Sequence, residues 1–199
     1  MRAEQAVAFV VFSVAAAGTP GPSNALLTAT GANVGVLRGL PTLLGQALGM
    51  GLMMFVIGFG LGSIILATAV LLSVVKWCGA AFLLWLAWKI ASASGHSVGE
   101  SQRPVGFFGA AAFQWVNPKS WLVATSAAAT FLDQTSGSAV VQSAALGFIF
   151  SAVALPACLP WLAFGAVMQR LLRSERALRI FNVSMGVLLA ASVVLIVFD

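Results

Sequence analysis

The chain has 199 residues, of which 60% are hydrophobic and only 8% are charged. Soluble domains carry about 25% charged residues, so this composition excludes a soluble globular protein and predicts an all-α membrane protein. The mean hydropathy of +1.02 agrees. The net charge of +5 is interpreted as a signal of membrane orientation and not of nucleic-acid binding.

Six spans joined by short loops are expected, because one spanning helix needs about 20 apolar residues. They are predicted at about 5–30, 40–68, 69–91, 105–132, 139–168 and 180–198, within a single transporter domain covering 1–199. A short link at 31–39 is expected to join the first two spans. Pro156 and Pro160 are expected to interrupt and kink the fifth span.

The first span is interrupted near its middle by the sequence TPGPSN. Pro20 and Pro22 lack an N–H, and Gly21 between them is free to adopt unusual dihedrals, so an α-helix cannot continue. Broken backbone at membrane depth must be buried in protein or line a wet cavity. After Pro22 the chain can restart as a helix, with Ser23 or Asn24 in its first turn. The free N–H groups of that turn would suit a carboxylate.

The second span is rich in glycine, with two GxxxG pairs formed by Gly45 with Gly49 and by Gly58 with Gly62. Such pairs let neighbouring helices approach closely. Helix packing is the favoured interpretation, and a glycine-lined permeation path is the alternative.

A second break, Asn117-Pro118-Lys119, interrupts the fourth span, with Gln114 just before it. A charge such as that of Lys119 near the bilayer midplane costs about 2.5–3.5 kcal/mol on insertion scales, so it normally faces a cavity and has a partner. No Asp or Glu lies inside any predicted span. The partner is therefore expected to be an anionic group of a substrate or the carbonyls at a helix C-terminus.

The two breaks occupy matching positions in two halves, 5–91 and 105–198, each with three spans. Halves with an odd number of spans enter the membrane from opposite sides, which is the inverted-repeat plan of many secondary transporters. Pro22 and Pro118 are 96 positions apart. We therefore expect two inverted three-helix repeats, with the first and fourth helices broken at Pro and a substrate site at their interface. Two unrelated proline kinks are the alternative.

At these residues the chain resembles the LysE/RhtB family of amino-acid exporters. The matching features are the TPGP break, the glycine-rich second helix, WCGAAFLLWLAWKIA at 77–91 and FQWVNPKSW at 113–121. The resemblance covers nearly the whole chain. It implies a multi-pass secondary transporter of the bacterial inner membrane, not an enzyme, that exports amino acids or close derivatives. Within the family, 77–91 and the FQWVN segment are most similar to the cysteine and O-acetylserine exporter branch.

The resemblance also implies where a substrate binds. Residues 20–22 match the first family signature and 117–119 match the second. One position departs, because the family often has Asn or Asp after the second proline and this chain has Ser23 there. The expected substrate-binding residues are Thr19, Pro20, Gly21, Pro22, Ser23, Asn24, Gln114, Asn117, Pro118 and Lys119.

The expected partners are an amino-acid substrate and membrane lipids, with no nucleic acid and with a homodimer left open. No metal or cofactor is expected, and Cys78 and Cys158 are interpreted as buried small hydrophobes. The absence of embedded carboxylates favours a small neutral amino acid over lysine or arginine. A membrane channel, or a carrier for another small solute or a cation, is the alternative. An intramembrane enzyme is disfavoured, because the single histidine, His96, lies in a predicted loop.

Orientation follows from the distribution of Lys and Arg. Three loops, which follow the first, third and fifth spans, hold seven of the ten Lys and Arg residues of the chain. The positive-inside rule places these loops in the cytoplasm and both termini outside.

Cysteine labelling tests this topology. In a variant that lacks Cys78 and Cys158, we expect Ser97→Cys and Ser174→Cys to resist a membrane-impermeant maleimide in intact cells and to react once the cells are opened. Lys76→Cys, on the predicted outer side, is the control and is expected to react in intact cells. Labelling of both loop positions from outside would reverse the orientation.

Overall fold

The structure, a computed structural model, describes residues 3–61, 68–92, 105–132, 138–171 and 174–197. Every regular element in these ranges is helical, which confirms the all-α prediction for them. The helices are α1 (Ala3–Gly18), α2 (Pro22–Val56), α3 (Ala69–Ala91), α4 (Phe107–Val116), α5 (Pro118–Phe131), α6 (Ala139–Leu171) and α7 (Glu175–Val197). A π-helical turn, Ile57–Leu61, continues α2.

Both predicted breaks are present. α1 ends at Gly18 and α2 begins at Pro22, while α4 ends at Val116 and α5 begins at Pro118. Each restarted helix has proline in its first turn, where the fixed φ of proline suits a helix and its missing N–H would have no partner within the helix. At both breaks, proline thus follows the end of one helix and begins the next.

The predicted link at 31–39 is wrong. α2 passes through this segment and departs from helical geometry at one residue, Gly35, whose φ of 77° lies in the left-handed region. Glycine adopts that region without steric cost, so a single residue redirects the chain where a loop was expected. α6 also differs from its prediction, because it remains helical through Pro156 and Pro160.

Two stretches of the described chain are long and apolar enough to cross a membrane. They are Pro22–Gly60, with 39 residues and a mean hydropathy of 1.8, and Ala139–Met168, with 30 residues and a mean hydropathy of 1.9. Ala3–Gly18, Trp77–Ala91 and Phe107–Val116 are apolar but shorter. These helices and the composition are those of a membrane protein.

The long helices α2 and α6 form the centre of the fold, and their backbones touch. A Cβ atom on Gly165 would lie 2.0 Å from the carbonyl oxygen of Thr28, and one on Gly31 would lie 2.0 Å from that of Leu162. Only glycine permits so close an approach. Around this pair, α1 packs on α6, α4 packs on α2, and α3 packs on α7.

The first GxxxG pair serves helix packing, as expected. A Cβ on Gly45 would lie 2.1 Å from the carbonyl oxygen of Phe107, and one on Gly49 would lie 2.6 Å from the Cα of Ala111. These contacts seat α4 directly on α2. Gly62, of the second pair, lies outside the described residues.

The α2–α6 contact can be tested with one methyl group. Gly165→Ala forces a Cβ against backbone, and overpacking of this kind costs about 1–3 kcal/mol. We expect the apparent melting temperature in detergent to fall by about 5 °C or more. Gly18→Ala is the matched control, because a Cβ there has nothing within 4 Å. Equal melting temperatures for the two variants would contradict the close packing.

Candidate functional site

The carbonyl groups of residues 17–20, where α1 ends, all accept hydrogen bonds from side chains. The amide nitrogen of Asn24 donates to the carbonyls of residues 17 and 19, at 2.8 and 2.9 Å. Trp161 Nε1 donates to that of residue 18 at 3.1 Å. Lys119 Nζ donates to that of residue 19 at 2.7 Å and to that of residue 20 at 3.5 Å. Because the last carbonyls of a helix have no partner within it, these side chains supply the missing donors.

Lys119 reaches across from the first turn of α5 to the other break. A Cβ on Gly21 would lie 2.9 Å from Lys119 Cδ and 3.2 Å from Nζ, so glycine leaves the space that the lysine side chain occupies. Of the two partners expected for this ammonium, the structure shows the second, carbonyls at the end of a helix. The residues that line the cavity around it include no Asp or Glu.

Four polar side chains connect the two breaks into one network. Gln114 Oε1 accepts from Ser120 Oγ at 2.8 Å and from Ser23 Oγ at 3.3 Å. Asn117 Nδ2 donates to Ser23 Oγ at 2.9 Å. The side-chain oxygen of Asn117 also accepts from the backbone N–H of Lys119 at 3.1 Å, so Asn117 is the N-cap of α5. Since Gln114, Asn117 and Ser120 are buried, the network fixes the two breaks against each other.

A cavity of about 40 Å³ lies at this junction, bounded by α1, α2, α4, α5 and α6. A water molecule needs about 10–15 Å³ of such space, so the cavity admits a few waters. Six of the ten predicted substrate-binding residues line it: Gly21, Ser23, Asn24, Gln114, Asn117 and Lys119. Two breaks that are far apart in the sequence therefore share one cavity, whose wall combines polar side chains with apolar ones.

The other four predicted residues have different places. Pro22 and Pro118 begin the restarted helices and are not among the residues that line the cavity. Thr19 and Pro20 are exposed, and they reach Lys119 through their backbone carbonyls. The Thr19 hydroxyl donates back to the carbonyl of Ala15 at 2.5 Å.

The N-terminus of α2 differs from that of α5. The N-cap residue of α2 is Gly21, which has no side chain to cap the helix, and Pro22 has no N–H. The N–H groups of Ser23 and Asn24 follow in the first turn, beside the cavity. This end of α2 thus presents backbone donors and a positive helix dipole without a capping side chain.

Three polar residues of the cavity wall were not predicted: Gln46, Ser120 and Cys158. Ser120 stands beside Lys119 and could have been identified from that position. Cys158 is buried, as expected, and its Sγ also donates to the Ala17 carbonyl at 3.5 Å and accepts from Gln46 Nε2 at 3.6 Å. The interpretation of Cys78 as buried is wrong, because Cys78 is exposed.

Both breaks lie within the part of the chain that matches a known protein family. Residues 14–198 match the family described as LysE type translocator. The cysteine/O-acetylserine efflux protein of Escherichia coli (strain K12) is 33% identical over 175 residues, which cover 83% of this chain and 85% of that protein. The protein of the same name from Shigella sonnei (strain Ss046) is similar to the same extent. No solved structure matches this chain.

The network between the breaks can be tested at Asn117. Asn117→Ala removes the cap of α5 and the bond to Ser23, and loss of an N-cap alone costs about 0.5–2 kcal/mol. We expect a clear loss of stability in detergent. Denaturation is monitored by tryptophan fluorescence. Thr125→Ala is the control on the same helix, because the Thr125 hydroxyl bonds carbonyls of α5 itself. Equal stability of the two variants would show that Asn117 does not hold the breaks together.

Proposed function

The chain belongs to the LysE family of translocators, and on that premise we propose that it is a secondary transporter that exports an amino acid from the cytoplasm. It is a transporter and not an enzyme. The observation that carries the mechanism is the bond between Lys119 Nζ and the Thr19 carbonyl, which joins the two broken helices beside the cavity that Lys119 lines. The bacterial inner membrane, crossed several times, is the proposed location, and its support is the apolar composition and the two long helices.

We propose that the fold consists of two inverted repeats related by a two-fold axis. Gly51 and Gly147 are 96 positions apart, as are Pro22 and Pro118. A Cβ on Gly147 would lie 2.5 Å from the Gly51 carbonyl oxygen, and one on Gly51 would lie 2.6 Å from that of Gly147. Equivalent residues of two repeats meet only on the axis that relates them. Exchange of the halves also turns the α1–α6 contact into the α4–α2 contact, which is present.

The substrate carboxylate is proposed to bind between Lys119 and the first turn of α2. Lys119 supplies an ammonium, and the N–H groups of Ser23 and Asn24 supply backbone donors at the positive end of the helix. When a carboxylate arrives, Lys119 exchanges its carbonyl partners for an anion. The Thr19 carbonyl keeps its bond from Asn24 during this exchange, and the exposed Pro20 carbonyl gives up its longer bond of 3.5 Å from Lys119.

The side chain of the substrate is proposed to be small and neutral. None of the described residues that line the cavity is an Asp or Glu that could pair a cationic side chain. The relatives at 33% identity are named as cysteine/O-acetylserine efflux proteins, and both of those compounds are small neutral amino acids. The cavity admits only a few waters, so a bound amino acid requires displacement of side chains, and Lys119 is a long, flexible one beside it.

Replacement of the lysine tests the proposal. Lys119→Ala is expected to insert at normal abundance and to lower export of cysteine or O-acetylserine by tenfold or more, which corresponds to a loss of about 1.4 kcal/mol of binding. Lys119→Arg is also expected to fail, because a planar fork does not replace a compact ammonium. Export per inserted molecule is measured, with abundance checked in the membrane fraction.

A second pair of variants separates the cavity from general stability. Gly21→Ala places a methyl group against the lysine side chain, whereas Gly18→Ala meets nothing within 4 Å. We expect Gly21→Ala to lower export and Gly18→Ala to retain it. Near-normal export by Lys119→Ala at wild-type abundance would show that Lys119 serves structure alone and that the carboxylate binds elsewhere.

A further inference from the structure

Two buried amide oxygens of the cavity wall have no hydrogen-bond partner among the described residues: Asn24 Oδ1 and Gln46 Oε1. The two side chains are 2% and 6% exposed. A buried acceptor without a donor is unfavourable, because burial removes the water that would otherwise bond it. Two such oxygens beside one cavity indicate that something with hydrogen-bond donors occupies it.

The nitrogens of both amides donate to other groups of the protein. Asn24 Nδ2 donates to the carbonyls of Ala17 and Thr19, which only accept hydrogen bonds, so its amide cannot be reversed without placing oxygen against oxygen. Gln46 Nε2 donates to the sulfur of Cys158, whose thiol donates to the Ala17 carbonyl. Both amide nitrogens are therefore bonded to groups of the protein, and both amide oxygens remain able to accept from a bound molecule.

Asn24 lies close to the proposed carboxylate position. Asn24 Nδ2 and Lys119 Nζ both donate to the Thr19 carbonyl oxygen, at 2.9 and 2.7 Å, so the two nitrogens are within two hydrogen-bond lengths of each other. Gln46 lines the same cavity as both of these residues. The ammonium and carboxylate groups of an α-amino acid are attached to one carbon, so we expect one molecule to contact the lysine and the amides together.

We propose that Asn24 Oδ1 and Gln46 Oε1 form a subsite for the α-ammonium group of the substrate. This inference rests on the proposed export of amino acids. An ammonium has three donors and no acceptor, so it suits two neutral oxygens, and charge-assisted bonds of this kind are the stronger ones. The ligand class is a compound with a free primary α-amine beside a carboxylate. A 2-hydroxy acid offers one neutral donor in place of the ammonium and is bound more weakly.

The test compares cysteine with its 2-hydroxy analogue, 3-mercaptolactate, in equilibrium binding to the purified full-length protein under reducing conditions. Gln46→Met keeps the length of the side chain and removes the acceptor. We expect it to weaken cysteine binding by about tenfold or more, because a hydrogen bond to a charged group is lost. Binding of 3-mercaptolactate is expected to change by less than about threefold, since its single neutral donor contributes less. Gln46→Glu, which retains an oxygen acceptor, is expected to keep the preference for cysteine.

The matched control is Ser151→Ala, at the same α2–α6 interface. The Ser151 hydroxyl is bonded to the carbonyls of Ala47 and Gly147, and Ser151 is not among the residues that line the cavity. It is expected to leave the ratio of the two affinities unchanged. Equal weakening of both ligands by Gln46→Met, or no weakening of either, would overturn the subsite.

The wild-type protein separates this failure from a failure of the proposed function. Saturable counterflow of cysteine in proteoliposomes, together with equal affinities for cysteine and 3-mercaptolactate, would overturn the ammonium subsite and leave amino-acid export standing. Absence of both binding and counterflow with cysteine and O-acetylserine would overturn the two proposals together.

Discussion

A helix that is broken inside an apolar layer exposes carbonyl groups that hydrocarbon cannot satisfy, and those carbonyls must find donors within the protein. In this chain the carbonyls of residues 17–20 are bonded by Asn24 from the restarted helix, by Trp161 from α6 and by Lys119 from α5. Meeting this requirement brings three separate segments together. The cavity lies at the place where they meet, and Asn24 and Lys119, which stabilise the break, also line it.

The proposed mechanism uses an exchange of partners. A zwitterionic substrate brings one anion and one cation, so it adds no net charge to a wall whose described residues include Lys119 and no acidic residue. Its carboxylate competes with the break carbonyls for the lysine, and its ammonium supplies donors to Asn24 and Gln46. Because the Thr19 carbonyl has two donors, it can lose one of them without becoming unsatisfied.

The two central helices, α2 and α6, are in direct backbone contact where glycine stands at their interface, because glycine has no side chain to separate them there.

The sequence predicted the local chemistry well and the packing poorly. The two breaks were predictable because proline there stands beside other residues that disfavour a helix, glycine at the first break and asparagine at the second. The turn at Gly35 was missed, since glycine permits a positive φ without requiring one, and α6 stays helical through two prolines that were expected to interrupt it. Gln46 and Cys158 reach the cavity only through the contact of α2 with α6, which the sequence of either helix does not reveal. The cavity residues that were identified are those next to a proline break in the chain.

The proposed binding of the substrate carboxylate by Lys119 can be measured as a difference between two ligands, O-acetylserine and its methyl ester. The affinities of the purified protein for both are compared in the wild type and in Lys119→Gln. We expect the wild type to prefer the free acid by about tenfold or more, because an ion-paired hydrogen bond is worth about 1.5–3 kcal/mol, and Lys119→Gln to lose most of this preference. The same preference in both proteins would contradict this role of Lys119, because the carboxylate would then be bound by other groups.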